Sequence, residues 1–437
     1  MQANNIIAPV DRPTPWVNSI VCVEKRDGSL RVCLDPRDLN KAILREHYAM
    51  PTRDELLSRL NGAKYFTTLD ASSSFWQCKL DEESSFLTTF NIPFGRFRFL
   101  VLPFGICSAP EVFHKTVRRI FEHFPGVETS MDDILVYGKT RKEHDERVRQ
   151  VLQACRDANL KLNRSKCEFG KTSVLYMGDI ISSEGLHPDP KKVIAISNMT
   201  TPSCKHDVQR FLGMINYLAR FVPNLPNYTD PLRELLHKKQ EWAWNEKHNT
   251  AFQNLKKLIS QAPVLKFCDP KKPIKISSDA SKNGFGAVLL QQYGSEYFPV
   301  AYAARSMTVA EQRYAMIEKE LLGIVFACEK FHQYIYGATN VIVENDHKPL
   351  SALFNKSLSS CPLRVQRFML RLQMYHFTFS FTPGKFLNTA DTLSRSNPGV
   401  ENNNQRTTYI DEIETATNNE MLSLLPVSDR ATKQILE

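Results

Sequence analysis

The sequence predicts an α+β unit, then a helical region, and then a second, mixed α/β domain. Strand-like apolar runs fall into two groups, and amphipathic helical patterns separate these groups. The length of 437 residues also predicts two to four domains, at roughly 150 residues each. The boundaries that we derive divide the chain into 1–195, 196–268, 269–397 and a polar tail at 398–437.

The composition is that of a folded, basic protein. Hydrophobic residues make up 42% and charged residues 24%, which are ordinary values for globular domains. A net charge of +9 suits a polyanionic partner, because Lys and Arg side chains that neutralise phosphates release condensed counterions, although many basic proteins bind no nucleic acid. Ten scattered cysteines without a CxxC pair predict reduced thiols, and the lack of a long apolar run predicts no membrane span.

The first unit opens with a predicted hairpin and a strand that ends in an acid. Ile20–Val23 and Val32–Leu34 flank an Asp27-Gly28 turn, which is typical of a β-hairpin. The apolar run Tyr65–Asp70 then predicts a strand, and the small residues Ala71–Ser74 follow it. Asp70 is therefore expected at a strand end.

The rest of the first unit is predicted to run helix, hairpin, helix, strand. Asp132 and Asp133 interrupt an apolar pattern, and they are expected to form the turn of the hairpin. The elements are a helix at Ala109–Phe124, a hairpin at Val127–Tyr137, a helix at Arg141–Leu160 and a strand at Leu162–Phe169.

Helices are predicted next, at Ser203–Tyr217 and Glu246–Ser260, with a connection that includes Pro223–Pro231. A change of composition at Pro270–Pro273 marks the start of another domain. Its expected elements are hairpin strands at Ile274–Asp279 and Phe285–Gln291 around Asn283-Gly284, a helix at Glu311–Gln333, and a strand at Val341–Val343 directed at Asp346.

Asp70, Asp132 and Asp133 are strand-terminal carboxylates that a folded sheet could bring together. Hard divalent cations prefer oxygen ligands. Two such cations, about 3.5–4 Å apart, can clamp the attacking and leaving oxygens of an in-line displacement. A solvated turn is the other interpretation of two adjacent acids.

At these acids the sequence resembles the reverse transcriptases of gypsy-type LTR retrotransposons, and more loosely those of retroviruses. The matching segments are Asp27–Asn40, Leu69-Asp70, Leu102–Gly105, Ser108–Pro110, Met131–Val136 and Gly185–Pro190, then Asp279–Ser281, Glu318–Leu322, Asn345–Leu350 and Asn388–Arg395. The resemblance implies an α+β right-hand polymerase (fingers/palm/thumb) followed by an RNase H-like α/β domain. Fingers and palm are then expected in 1–195, thumb or connection in 196–268, and the RNase H-like domain in 269–397, before a linker or tail.

The resemblance also implies a role for each matched residue of the polymerase. Asp70, Asp132 and Asp133 are expected to hold metal and to act in catalysis. Phe75 matches the bulky residue that crowds a ribose 2′-hydroxyl, and a plain core aromatic is the other interpretation. The further residues expected around the incoming nucleotide are Lys25, Arg26, Arg31, Phe104 and Gly105.

Tyr176, Met177 and Gly178 match the strand segment that holds the primer end in relatives, and an ordinary hairpin is the alternative. The sequence departs from the family at Ser130, where an aromatic residue usually precedes the Asp pair by two places. We expect altered packing of template or nucleotide and lower activity from this change, with the metal site kept.

A second set of acids is carried over from the resemblance for RNase H catalysis and metal binding. These are Asp279, Glu320, Asp346 and Asp391. Helical periodicity does not choose between Glu318 and Glu320, and the family pattern chooses Glu320. Near Gly384-Lys385 the sequence lacks the histidine that assists retroviral RNase H domains, as gypsy-type members commonly do.

The resemblance implies an RNA-directed DNA polymerase with RNase H activity that uses two Mg²⁺ per active site, for which Mn²⁺ can substitute. Expected partners are an RNA template, a DNA primer, an RNA–DNA hybrid, deoxynucleoside triphosphates, and the integrase and protease segments of Pol. A dimer is one option for the assembly, and the need for a second subunit stays open. We expect a cytoplasmic protein in virus-like particles, or a nuclear one, away from membranes. The alternatives are a decayed or domesticated copy that binds nucleic acid without catalysis, and an enzyme with RNase H activity alone.

Overall fold

The computed structural model describes residues 1–24, 28, 30–45, 48, 50–223, 225–237, 240–281 and 284–383. The chain divides into two compact units, residues 1–193 with 263–270, and residues 194–262 with the chain from 271 onwards. Residues 263–270, at the predicted end of the connection, thus pack with the first unit. None of the helices within the described ranges has the length and apolar character that a membrane span requires.

The described part of the first unit contains four small sheets with helices around them. Their strand orders are β1-β6-β5, β2-β3, β7-β8-β4-β9 and β10-β11-β12. The strands are β1 (Ile7–Pro9), β2 (Ser19–Glu24), β3 (Leu30–Asp35), β4 (Tyr65–Asp70), β5 (Phe90–Ile92), β6 (Gly95–Phe99), β7 (Val127–Ser130), β8 (Asp133–Gly138), β9 (Glu168–Lys171), β10 (Ser173–Tyr176), β11 (Asp179–Ser182) and β12 (Gly185–Pro188). The helices are α1 (Arg37–Ala42), α2 (Arg53–Ser58), α3 (Glu82–Leu87), α4 (Ala109–Phe121) and α5 (Arg141–Asp157), with α6 (Pro190–Ser197) crossing the boundary of the unit.

A hydrophobic core covers one face of the sheet β7-β8-β4-β9. Leu69 of β4 and Ile134 of β8 are buried against Phe113 and Val117 of α4 and against Val151 of α5. Phe113 and Val117 lie four residues apart and so share one face of their helix. The apolar stripes predicted from the sequence therefore hold both helices on the strands that carry the acids.

The short helix α2 is tied to the hairpin β10–β11 by an ion pair whose carboxylate is buried. Its N-terminus is a capping box, in which Thr52 and Glu55 each accept a hydrogen bond from the backbone N–H of the other. Arg53, the first residue of the helix, forms an ion pair with Asp179 at the start of β11. The Asp179 side chain is 1% exposed, so its charge depends on Arg53 for compensation.

The second unit joins a helical region to a five-stranded sheet of order β15-β14-β13-β16-β17. β13 pairs antiparallel with β14 and parallel with β16, and β17 is parallel to β16. The strands are β13 (Ile274–Ala280), β14 (Gly284–Tyr293), β15 (Glu296–Ser306), β16 (Val341–Asn345) and β17 (Thr378–Phe381). The helices are α7 (Lys205–Tyr217), α8 (Leu225–Glu234), α9 (Glu246–Ser260), α10 (Met316–Lys330), α11 (His332–Ile335), α12 (Pro349–Phe354) and α13 (Leu363–Leu372).

Two predicted segments take a different structure. In the segment predicted as a strand at Leu162–Phe169, the strand β9 begins only at Glu168. The first part of the segment makes an isolated bridge between Leu162 and Ala71. The stretch predicted as a proline-bearing connection contains α8. Pro226 lies in the first turn of this helix, where a missing backbone N–H costs little, and Pro231 lies inside the helix.

The helix predicted at Glu311–Gln333 is divided into a 3-10 turn, α10 and α11. Both carboxylate oxygens of Glu311 accept hydrogen bonds from Arg305, at 2.7 Å each, and one also accepts from the Thr308 N–H. These contacts fix a loop before α10 begins. The ten cysteines are free thiols, as predicted.

We expect Arg53→Met to lower the free energy of unfolding by about 3–5 kcal/mol, because it leaves the Asp179 carboxylate buried without its cation. The double variant Arg53→Met, Asp179→Leu should be close to neutral, since it removes the buried carboxylate together with its partly exposed cation. Urea unfolding of both variants measures the difference. Equal losses in the single and the double variant would contradict the pairing.

Candidate active sites

The three predicted acids of the first unit meet at one end of the sheet β7-β8-β4-β9. Asp70, the last residue of β4, is the register partner of Asp133, the first residue of β8. The carbonyl oxygen of Asp132 accepts a hydrogen bond from the Ala71 N–H at 3.2 Å. The turn consists of Met131 and Asp132, so it lies one residue earlier than predicted, and Asp133 already belongs to the strand.

Desolvation and neighbouring negative charge raise the pKa values of Asp132 and Asp133. Desolvation raises the pKa of the Asp132 carboxyl, and the charge of Asp70 adds to the increase. The pKa of Asp133 is raised by desolvation first, and then by the charges of Asp70 and Asp132. Lys166 opposes both shifts, and its Nζ lies 3.2 Å from Asp70 Oδ2. Sequence reasoning missed Lys166, which is part of the charge balance of this site.

The short segment after Asp70 is held from two sides. Ser74 is buried, and hydrogen bonding by its side chain lowers the pKa of the Asp132 carboxyl against the larger effect of desolvation. Gln77 Nε2 donates to the carbonyl oxygens of Ser72 and Lys161, at 2.6 and 3.0 Å. Gln77 Oε1 accepts from the Lys161 N–H at 2.7 Å. The run of small residues noted in the sequence therefore allows a tight, hydrogen-bonded loop under the acids.

Aromatic and basic residues expected around the nucleotide come together beside this loop. The rings of Phe75 and Phe104 are 5.0 Å apart between centroids, and Arg31 Cζ lies 4.9 Å from the Phe104 centroid. Phe75 also contacts Phe113 in the core, at 5.9 Å between centroids, and stays partly exposed. The Phe75 side chain thus packs against the core and also forms part of the exposed surface. Lys25 and Arg26 lie outside the described residues.

Gly105 permits the approach of the Phe104 segment to β3. The Phe104 carbonyl oxygen accepts a hydrogen bond from the Leu34 N–H at 2.7 Å. Gly105 has a φ of 111°, and a Cβ at this position would lie 1.9 Å from the Leu34 carbonyl oxygen. A side chain here would therefore clash with the backbone. We expect Gly105 to contribute to the shape of the site by allowing this close approach.

The residues predicted to hold the primer form the end of a strand and a turn. Tyr176 closes β10, whereas Met177 and Gly178, with φ of 49° and 81°, form the turn to β11. The carbonyl oxygen of Gly178 accepts a hydrogen bond from Lys192 Nζ at 2.8 Å. Tyr176 is only 2% exposed, so the part of this segment that faces solvent is the turn. The segment is therefore the strand end and turn of a hairpin, and its role in holding a primer stays a prediction.

Ser130, the departure from the family pattern, lies at the end of β7. It is the register partner of Asp133, and it is half-buried. The serine therefore occupies a position directly beside the acids, without interrupting the strand pairing that groups them.

The second acidic site lies in the second unit and is more compact. Asp279 comes from β13, Glu320 from α10, and Asp346 follows β16. Their ligand oxygens all lie within 4.8 Å of one another. Among the residues that the structure describes, no other set of three His, Cys, Asp or Glu residues meets that distance. The three acids of the first unit do not meet it either. Asp391 lies outside the described residues.

Glu320 and Glu318 have different surroundings. Glu320 is 1% exposed, and desolvation raises its pKa to about 8, with smaller increases from Asp279 and Asp346. Glu318 accepts a hydrogen bond from the Ala315 N–H at 3.1 Å and so caps α10. The structure therefore places Glu320 in the acidic trio, as the resemblance implies, and Glu318 at the start of the helix.

The donor set of this trio suits a hard cation. Its contacting atoms are carboxylate oxygens, which Mg²⁺ and Mn²⁺ prefer over nitrogen or sulfur ligands. Desolvation is the main cause of the raised Glu320 pKa, and the added repulsion from Asp279 and Asp346 would be relieved by a divalent cation between the three groups. The residues present therefore fit a metal.

Solved structures share this architecture. The chain is similar to the foamy viral protease-reverse transcriptase dRH in complex with double-stranded DNA, with a TM-score of 0.78 and 23% identity over 87% of this chain and 67% of that chain. It is also similar to the foamy viral protease-reverse transcriptase in complex with an RNA/DNA hybrid, with a TM-score of 0.74 and 22% identity over 93% and 55%. The predicted fold class is confirmed.

Sequence comparisons place two family segments on the chain. Residues 23–181 match the family described as reverse transcriptase (RNA-dependent DNA polymerase), and residues 244–343 match the RNase H-like domain found in reverse transcriptase. The Pol polyprotein of transposon 412 from Drosophila melanogaster is 36% identical over 370 residues, which is 84% of this chain and 29% of the relative.

Two further relatives are transposon polyproteins. The Tf2-3 polyprotein of Schizosaccharomyces pombe is 32% identical over 86% of this chain and 28% of the relative. The Pol polyprotein of transposon 297 from Drosophila melanogaster is 33% identical over 89% and 36%. The chain thus spans about a third of the length of these relatives, and a gypsy-type origin is consistent with them. Together these matches show a reverse transcriptase domain and an RNase H-like domain in the chain, with transposon Pol polyproteins as its relatives.

Proposed function

We propose that the chain is an RNA-directed DNA polymerase that adds deoxynucleotides to a primer and that also cleaves the RNA strand of RNA–DNA hybrids. The observation that carries the polymerase is the register that sets Asp70 opposite Asp133, with Asp132 in the adjoining turn. The trio in the second unit supports the RNase H activity. Double-stranded DNA and an RNA/DNA hybrid, which occur in the similar solved structures, are the duplexes that we propose as ligands.

Both sites are proposed to use Mg²⁺, with Mn²⁺ as a substitute. When bound as a pair, these ions stabilise the attacking and leaving oxygens of an in-line displacement. The holders would be Asp70, Asp132 and Asp133 in the first unit, and Asp279, Glu320 and Asp346 in the second, with Asp391 added from the resemblance.

The other residues of the first site would orient the substrates. Phe75 and Phe104 form an aromatic wall, and the Arg31 guanidinium over Phe104 brings positive charge to the side where a triphosphate would bind. The turn at Met177 and Gly178 presents backbone that a primer could contact. Lys25 and Arg26 are proposed to add charge for the triphosphate.

The biological setting is proposed from the relatives. Because the matched proteins are polyproteins about three times longer than this chain, we propose that it acts as part of a Pol product together with integrase and protease segments. Cytoplasmic virus-like particles are the proposed location. Fingers and palm at 1–195, thumb or connection at 196–268 and the RNase H-like domain at 269–397 are the proposed domains.

We expect the two activities to be lost separately. The double variant Asp132→Asn, Asp133→Asn should abolish extension of a DNA primer on an RNA template and leave hybrid cleavage intact, because only the first site loses charge. Glu320→Gln should do the reverse. Both assays are run in Mg²⁺ on the same preparations, so each variant is the control for the other.

The same assays separate the alternatives. An unaltered chain that binds hybrid without extending or cleaving it would favour a decayed or domesticated copy. Cleavage without extension would favour an enzyme with RNase H activity alone.

We expect Phe75→Ala to raise the use of ribonucleotides relative to deoxynucleotides by about tenfold or more, because it removes the wall against a 2′-hydroxyl. Single-nucleotide extension with each sugar measures the ratio. Phe113→Leu is the control, since Phe113 packs beneath Phe75 in the core. An unchanged sugar preference in Phe75→Ala would assign this ring to packing alone.

In the metal-free chain, we expect the free energy of unfolding to fall as pH rises from about 4.5 to about 8. The pKa of Glu320 is raised from 4.5 to about 8 in the folded chain. Over this interval the unfolded chain therefore releases a proton that the folded chain keeps. Thermal unfolding in EDTA measures the trend. Glu320→Gln should flatten it and Glu318→Gln should not; the same slope in Glu320→Gln as in the unaltered chain would refute the shift.

A further inference from the structure

The side chain of Asn345, the last residue of β16, is buried and makes three hydrogen bonds. It is 0% exposed. Its Nδ2 donates to Glu320 Oε2 at 2.9 Å and to the Ser278 carbonyl oxygen at 2.9 Å. Its Oδ1 accepts from the His347 N–H at 2.9 Å. Both donor protons and the acceptor of the amide are therefore used.

Each of these bonds reaches a different segment that carries an acid of the second site. Ser278 immediately precedes Asp279 in β13, and His347 immediately follows Asp346. The third bond is made to the carboxylate of Glu320 itself, on α10. One uncharged side chain thus joins the strand, the helix and the turn that supply the trio.

We propose that Asn345 is a positioning residue of the RNase H site, which holds Asp279, Glu320 and Asp346 at the mutual distances that divalent metal binding requires. The proposal rests on the RNase H function proposed above and deepens it. It assigns the arrangement of the acids to a residue that is itself neither an acid nor one of the expected ligands.

The chemistry of an amide suits this task. Three carboxylates within 4.8 Å of one another repel, and the Glu320 carboxylate is also desolvated. A buried Lys or Arg would compensate them but would compete with a cation for the same oxygens. An amide donates to the carboxylate without adding charge, so the net negative charge that attracts a divalent cation is kept.

A purely structural role for Asn345 predicts a different effect of its removal. A buried polar group whose bonds are satisfied contributes to stability wherever it lies, and its loss would lower stability without a specific effect on metal. Metal dependence therefore distinguishes the two roles.

Two variants remove the amide in different ways. Asn345→Asp keeps the size of the side chain and the acceptor for His347, but it loses both donors. Asn345→Ala removes every polar atom and adds no charge. An effect that both variants share is due to the lost donors and not to a new carboxylate.

The matched control is Gln291→Met. Gln291 is also 0% exposed and lies in the same sheet, and its Nε2 donates to the Lys272 carbonyl oxygen at 3.4 Å. Its register partner is Ile274, at the opposite end of β13 from Asp279. The control therefore removes a buried amide from the same domain without touching the acids.

The first measurement is hybrid cleavage against Mg²⁺ concentration, with primer extension by the same preparation as the internal reference. We expect both Asn345 variants to raise the Mg²⁺ concentration for half-maximal cleavage by about 10- to 100-fold. High Mg²⁺ should restore part of the cleavage rate. Primer extension should be unchanged, and so should the Mg²⁺ dependence of cleavage by Gln291→Met.

The second measurement does not depend on activity. In an Asp132→Asn, Asp133→Asn background, the rise of the unfolding temperature with added Mg²⁺ reports on the second site, because a ligand that binds the folded state stabilises it. We expect both Asn345 variants to lose most of this rise, whereas Gln291→Met keeps it. An unaltered Mg²⁺ dependence of cleavage and of unfolding in both Asn345 variants would overturn the proposal. If the unaltered chain does not cleave hybrid, the RNase H function fails, and the unfolding measurement still tests Asn345.

Discussion

Strand register is the constraint on which the first acidic site depends. Side chains alternate between the two faces of a strand, so a shift of one residue between β4 and β8 would separate Asp70 from Asp133. Leu69 and Ile134, one position further into the sheet, are also register partners, and they are 1% and 0% exposed. Burial of this apolar pair enforces the register, and the register holds together carboxylates that repel each other. The free energy that groups the acids thus comes from the hydrophobic core.

The two sites stabilise their carboxylates by different means. In the first unit, the ammonium group that opposes the repulsion belongs to Lys166, whose side chain is 63% exposed. Water can replace that contact at little cost, because an exposed ion pair contributes little free energy. In the second unit the buried amide of Asn345 donates a hydrogen bond to Glu320 without compensating its charge, and it is 0% exposed to water. The first arrangement is adaptable, and the second is rigid.

Local patterns predicted many elements and left the contacts between distant segments unknown. The strand Tyr65–Asp70 and the helix Glu246–Ser260 have the predicted bounds, because periodicity and end signals agree there. The spacing of the acids alone also allowed a solvated turn at Asp132 and Asp133, and the family resemblance was needed to select a metal site. Lys166 was missed because 96 residues separate it from Asp70. The burial of Tyr176 was missed for a similar reason, since it depends on packing and not on the strand pattern.

The return of residues 263–270 to the first unit has a consequence for the modularity of the chain. Leu265 exchanges two backbone hydrogen bonds with Leu186, at 2.8 and 3.0 Å, and so covers the edge of β12. A Cβ on Gly185 would lie 2.1 Å from the Leu265 carbonyl oxygen, which shows how closely the two backbones approach. The first unit is therefore discontinuous in sequence, and a single cut anywhere between 194 and 262 would leave β12 with an open edge. Recombination at one such junction would exchange an incomplete module, which favours inheritance of the two units as one block.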